Sequence, residues 1–218
     1  MPTGLRERKK HRQREAIVET AIGLFRERGF EQTRVQDILD EAEISLGTFY
    51  NYFPGKDAVL DEFGAGVIAS YVELARQELE QQDRPVAERV TALARACGRA
   101  FSSDPAFMVV VVTQSRAFGG RGQLPAGDVP IYGLLSLLFE EGQANGEIRP
   151  DVPPLELAET FSGVFMFAVV SWLTAWQSDA GTSRDNESDL EGRLMRAFDV
   201  FLDGCRYGCA TASANARG

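Results

Sequence analysis

Apolar residues recur three and four positions apart along almost the whole chain. Nowhere do they alternate with polar ones as a half-buried strand would require. Ile17, Ala21, Leu24 and Phe25 form one stripe, and Gly29 follows it as a C-terminal cap would. Val35, Ile38, Leu39 and Ala42 form a short second stripe, with Thr33 and Gln36 spaced as a capping box at its start. Ser45 can cap a third short helix that ends near Pro54, and a longer helix is predicted from about Lys56 to Gln82. Pro85 opens a helix carrying Val90, Leu93, Ala94, Cys97 and Phe101, and Asp104-Pro105 opens the next. A glycine-rich loop covers Gly119–Gly127, a helix from about Asp128 ends at Asn145-Gly146, and Pro153-Pro154 precedes a long apolar helix to about Trp176. A polar loop, Gly181–Ser188, separates it from a last helix striped by Leu190, Leu194, Phe198, Phe201 and Leu202. The pattern predicts an all-α fold.

The charge is unevenly placed. Lys and Arg number 10 in residues 1–60 and match 10 Asp and Glu, whereas 13 against 22 beyond residue 60 supply the whole net charge of −9. Arg6, Arg8, Lys9, Lys10, Arg12 and Arg14 meet only Glu7 within the first fourteen residues. A basic arm on an acidic body suits local contact with a polyanion. With 44% apolar and 25% charged residues the composition is that of a globular protein, and 218 residues allow one or two domains. Three cysteines without a C-x-x-C pair argue against a disulfide framework and fit a reducing, cytoplasmic setting. No apolar stretch follows the basic start, so no signal peptide is expected.

The two short helices around Ala42-Glu43-Ile44 are the informative unit. A short helix, a tight turn and a second short helix place the second helix in a DNA major groove. Phe49 and Phe53 lie four apart and can pack inward with Ile38, Leu39 and Ile44. Leu46, Gly47, Thr48, Tyr50, Asn51 and Tyr52 remain for the outside. Their hydroxyls and amides suit phosphates and base edges, and Gly47 admits a close backbone. Lys56, opening the next helix, suits a phosphate.

Gly29-Phe30, Thr33, Val35, Asp37-Ile38, Ala42, Ile44-Ser45, the run Gly47–Phe53 and Lys56 together resemble the TetR family of transcriptional regulators over residues 12–62. Beyond residue 62 the resemblance is one of helix order only. It implies a three-helix DNA-binding domain, residues 1–58 with the basic arm, and a helical effector-binding and dimerisation domain, residues 59–210. Residues 211–218 are expected to be a disordered tail. The implied function is that of a ligand-responsive repressor, binding a palindromic operator as a homodimer and released by a small, largely apolar effector. The resemblance assigns Ser45, Leu46, Gly47, Thr48, Tyr50, Asn51, Tyr52 and Lys56 to the DNA face, with Thr33 and Arg34 at the preceding helix start. Three positions depart from the family. Glu43 stands where glycine is usual and predicts a left-handed strain. Leu46 replaces a polar or basic residue and suits a thymine methyl. Gly55 replaces a polar cap.

In the body, no charge falls between Thr160 and Ser178, a stretch long enough to span a bilayer. Thr160, Ser162, Ser171, Thr174 and Gln177 interrupt it, so a helix buried against its own core and a partner subunit is expected, without a membrane. Trp172, Leu194, Phe198, Phe201 and Leu202 are expected at the dimer seam. Phe101, Phe107, Met108, Val111, Tyr132, Phe165, Met166 and Trp172 are candidates to line an effector pocket, though each also reads as plain core. Cys205 and Cys209 are four apart, but the only histidine, His11, lies in the arm, so no metal site and no cofactor beyond the effector is expected. No nucleophile–base–acid set and no phosphate loop after a strand is visible, so an enzyme is not expected. An interaction bundle without DNA is the other alternative.

Overall fold

The computed structural model describes residues 4–119, 130–179 and 190–206. The loop expected over 120–127, the polar loop 181–188, Cys209 and the tail 211–218 lie outside the described residues. Among the described residues nine α-helices follow one another: α1 (Leu5–Arg28), α2 (Val35–Glu41), α3 (Leu46–Tyr50), α4 (Lys56–Glu80), α5 (Val86–Ser102), α6 (Pro105–Gln114), α7 (Pro130–Ala144), α8 (Pro154–Asp179) and α9 (Leu190–Cys205). Their only β pairing is a single bridge between Ile148 and Arg206. The fold is all-α.

The breaks have local causes. Gly29 leaves α1 at φ +86° while its N–H still bonds to the Phe25 carbonyl, and Gly146 turns the chain at φ +75° after α7. Proline stands at the first helical position of α6 and of α8, where its missing N–H costs nothing, and Pro85 immediately precedes α5. The expected basic arm is not a separate element: it forms the first turns of α1, which is helical from Leu5.

The described residues fall into two compact units. One comprises those within Met1–Ile68 and Ala106–Ala126; the other, those within Ala69–Pro105 and Gly127–Gly218. In the first, Ile17, Ala21, Leu24, Phe25, Ile38, Leu39, Phe49 and Phe53 form the core, and α6 adds Phe107, Met108 and Val111. A Cβ on Gly64 of α4 would collide with the Ser115 side chain and crowd Ala117 Cβ at 3.2 Å, so glycine lets the segment after α6 lie this close. The Asp61 carboxylate fixes it by accepting the Arg116 N–H at 2.9 Å.

In the second unit, α5, α7, α8 and α9 bury an aromatic cluster. Phe198 stacks on Phe161 at 4.3 Å, and Phe139, Phe161 and Phe201 meet edge to face. Arg89 is wholly buried on α5; its Nε donates to the Glu78 carbonyl at 2.6 Å and its NH1 to Glu141 at 2.8 Å. A buried guanidinium is tolerated only with such partners.

This core corrects the expected dimer seam. Leu194 and Phe198 are fully buried, Leu202 and Trp172 nearly so, and Phe201 is half-buried against Phe139 and Phe161. Leu194, Phe198 and Leu202 of α9 face α5 and α8 of their own chain and are not free for a partner, whereas Phe201 stays partly exposed. The exposed apolar residues are others: Phe167 is 77% exposed, Val170 42% and Val200 76%. Gly163, Phe167, Val170 and Thr174 lie on one exposed, uncharged face of α8. By length and composition α8 could also cross a membrane, at mean hydropathy 1.5.

Candidate nucleic-acid interface

Helices α2 and α3 meet through Ala42–Ser45. The turn closes as the Ile44 N–H bonds to the Leu39 carbonyl at 3.0 Å. Glu43 adopts φ +51°, the left-handed backbone expected of it, and it alone does so among the described non-glycine residues. Ser45 caps α3, its hydroxyl accepting the Thr48 N–H at 3.1 Å and meeting Thr48 Oγ1 at 2.8 Å. Phe49 and Phe53 are buried and hold α3 against the core. Leu46 and Tyr50 are each 53% exposed, Gly47 and Asn51 are also exposed, and Thr48 is half-buried. α3 therefore presents an outer surface with no charged side chain from Ile44 to Gly55.

Three of the expected contact residues are engaged inside the protein. Thr33 is 1% exposed, with its hydroxyl donating to the Gly29 carbonyl at 2.8 Å, so it does not reach the outer face. The cap of α2 lies one residue later than the Thr33–Gln36 spacing implied: the Arg34 N–H donates to the Asp37 carboxylate at 2.7 Å, and the Arg34 side chain is exposed. Lys56 Nζ donates to the carbonyls of Phe30 at 2.6 Å, Thr33 at 3.0 Å and Glu31 at 3.3 Å, and sits 4.5 Å from the Phe30 ring centre. An ammonium has three N–H donors, and these three carbonyls use them all. Tyr52 is half-buried and its hydroxyl donates to Gln13 Oε1 at 3.0 Å, which ties α3 to α1.

Sequence reasoning missed the clamp behind α3. The Arg14 guanidinium lies 4.5 Å from the Phe53 ring centre, forks onto the Glu62 carboxylate and donates to the Tyr52 carbonyl at 3.2 Å. Glu62 is its first cause of raised basicity. The partners are 48 residues apart and leave no local signal. Arg14 is thereby removed from the basic run, whereas Arg6, Arg8, Lys9, Lys10 and Arg12 remain exposed along α1.

The pocket candidates divide between the units. Phe107, Met108 and Val111 are buried in the first, where Phe107 meets Phe63 at 5.4 Å. Phe101, Tyr132, Phe165, Met166 and Trp172 belong to the second, where Phe101 meets Phe165 at 5.8 Å. No group of three or more metal-ligating side chains occurs among the described residues.

Residues 17–63 match the family described as bacterial regulatory proteins, tetR family. The chain is 25% identical over 195 residues to the HTH-type transcriptional repressor KstR of Rhodococcus jostii strain RHA1, covering 88% of this chain and 84% of that one. It is 24% identical over 197 residues to the fatty acid metabolism regulator protein of Bacillus subtilis strain 168, covering 86% and 93%. Among solved structures it is similar to FadR of Thermus thermophilus, a repressor in complex with lauroyl-CoA, at TM-score 0.64 and 24% identity over 88% of this chain and 94% of that one.

Proposed function

Because this chain belongs to the TetR family of bacterial regulators, we propose that it represses transcription as a homodimer, with α3 in the major groove of a palindromic operator. The observation that carries the reading is the outer face of α3 itself. Gly47 lies within this short helix, where glycine costs roughly 1 kcal/mol against alanine. Yet a Cβ there would meet nothing nearer than Ser45 Oγ at 4.0 Å. Nothing within the chain requires this glycine, so a close approach from outside is its reason. Leu46, Thr48, Tyr50 and Asn51 surround it with methyl, hydroxyl and amide groups suited to base edges and phosphates. Arg34 and the exposed cations of α1 supply charge for the backbone, and Ser45 supports the helix as its cap.

The experiment is a gel shift of the chain with the upstream region of its own gene, alongside Gly47→Ala. The variant is expected to fold with equal or greater stability and to bind operator at least tenfold more weakly. Unchanged affinity would remove α3 from the interface, and enzymatic turnover by the wild type would favour another function.

The exposed, uncharged face of α8 supports a homodimer built around Phe167 and Val170. Glu156 and Glu159 beside its apolar stretch favour a second copy over a bilayer as the cover, and an operator target places the protein in the cytoplasm. We assign the effector to the second unit, whose core residues Phe101, Phe165 and Trp172 would suit a small, largely apolar molecule. The acyl chain of the lauroyl-CoA bound by the Thermus thermophilus repressor is one such chemistry, although the CoA that carries it is large and anionic. The effector releases DNA by binding the released state more tightly than the DNA-competent one, and DNA must weaken effector binding by the same factor. Helix α4, unbroken from Lys56 to Glu80, has residues in both units and is the element able to carry that coupling.

A further inference from the structure

Tyr71 of α4 is 8% exposed, and its hydroxyl is buried with no hydrogen-bond partner. Leaving such a group buried and unpaired is costly, so a native fold rarely keeps one without a use. Its surroundings are those of the second unit. The ring lies 5.9 Å from Phe101, the buried thiol of Cys97 is close enough to act on it electrostatically, and Phe101 in turn meets the half-buried Phe165 at 5.8 Å. A buried, unpartnered hydroxyl beside an aromatic ring and a thiol offers one directed contact in an apolar place. A bound molecule is the partner that it lacks.

We propose that the Tyr71 hydroxyl is the polar anchor of the effector site, donating a hydrogen bond to an uncharged oxygen acceptor on an otherwise apolar ligand: the carbonyl of a ketone, ester or thioester. This deepens, and rests on, the reading that the second unit takes an effector. Burial raises the pKa of the phenol, so it stays protonated and able to donate. A carboxylate is a poor occupant because it would need a cation. The buried guanidinium of this unit, Arg89, lies eight residues before Cys97 on α5, about 12 Å along the helix. Its charge is already matched by Glu141 and its Nε is held by the Glu78 carbonyl, although its NH2, like Arg193 NH1 of α9, is a further buried donor without a partner.

The test uses the full chain, the variant Tyr71→Phe, and two probes that differ by one group, 4-phenylbutan-2-one and n-butylbenzene. Binding is followed by tryptophan fluorescence. The wild type is expected to prefer the ketone, and Tyr71→Phe to lose that preference by about tenfold while still binding the hydrocarbon. Melting without probe is the second measurement: if the hydroxyl is unpartnered in the free protein, Tyr71→Phe melts at the wild-type temperature or above. An unchanged ketone-to-hydrocarbon ratio, failure of the wild type to bind either probe, or a variant melting several degrees lower would each overturn the proposal. Operator binding without probe is read in parallel, so a failure of the repressor reading shows there and not in the probe ratio.

Discussion

Lys56 opens α4, where a phosphate-binding lysine would be well placed, yet its ammonium is spent on the carbonyls of Phe30, Glu31 and Thr33. Lys56→Ala should therefore act on the fold and not on the charge balance with DNA. A hydrogen bond from a charged donor contributes about 1.5–3 kcal/mol, and water can reach part of this half-buried site, so one such contribution is a fair net value for the set. The contact with the Phe30 ring adds about 0.5–1 kcal/mol. Against this stands a gain of about 0.3 kcal/mol from removing a cation at a helix N-terminus. The expected loss is about 2 kcal/mol, measured as a lower urea midpoint by circular dichroism. Operator affinity should then be measured from 50 to 200 mM salt at a temperature where both proteins are folded. The slope of log K against log salt should stay unchanged. If Lys56 instead neutralised one phosphate per protomer, the slope would flatten by about 2 for a dimer. A flatter slope with an unchanged urea midpoint would refute the structural role.

Two further outcomes follow from burial. Phe167→Asp on α8 should sediment as a folded monomer, whereas Phe198→Asp, which breaks the stack with Phe161, should fail to fold; a Phe167→Asp protein sedimenting like a dimeric wild type would remove α8 from the seam. Burial also pushes the Cys97 thiol up to about 12 from its ordinary 9.0, so its contribution is fully present below pH 9 and is lost as pH rises towards 12. Urea unfolding should show stability about 2 kcal/mol lower at pH 10.5 than at pH 8, and Tyr71 acts in the same direction; a flat profile would contradict the burial of the thiol.

What could be read from the sequence was what lies close together along it. The α1 stripe, the Gly29 stop, the Ser45 cap and the left-handed Glu43 depend on neighbours within a turn or two, and the spacing encodes them. The α9 stripe was legible as a buried face, but periodicity does not say which chain buries it, and Leu194, Phe198 and Leu202 turned out to serve their own core. Thr33 and Lys56 misled for a related reason. Position and residue type suited a DNA contact, while the acceptors that take their donors come from backbone 4 to 26 residues away. The Arg14–Glu62 clamp and the Arg89–Glu141 pair, 48 and 52 residues apart, required the fold.

These placements separate two properties that a DNA-binding surface often mixes. From Ile44 to Gly55 there is no charge, so in the proposed docking α3 would read by shape, methyl contact and neutral hydrogen bonds, which weaken little with salt. The attraction to phosphate must come from elsewhere, because Lys56 and Arg14 are occupied within the fold. The exposed cations that could supply it are Arg34 and, along the start of α1 ahead of the matched residues 17–63, Arg6, Arg8, Lys9, Lys10 and Arg12. On the proposed docking, affinity for any duplex would be set mainly by α1, and the choice among duplexes by α3. The excess of acidic residues beyond residue 60, which supplies the whole net charge of −9, would oppose the first term and so favour approach to DNA in the orientation that presents α1. The Arg14 clamp then has a role beyond stability. By fixing α1 to the end of α3 through Tyr52 and Phe53, it holds the attracting charges and the reading surface in one register.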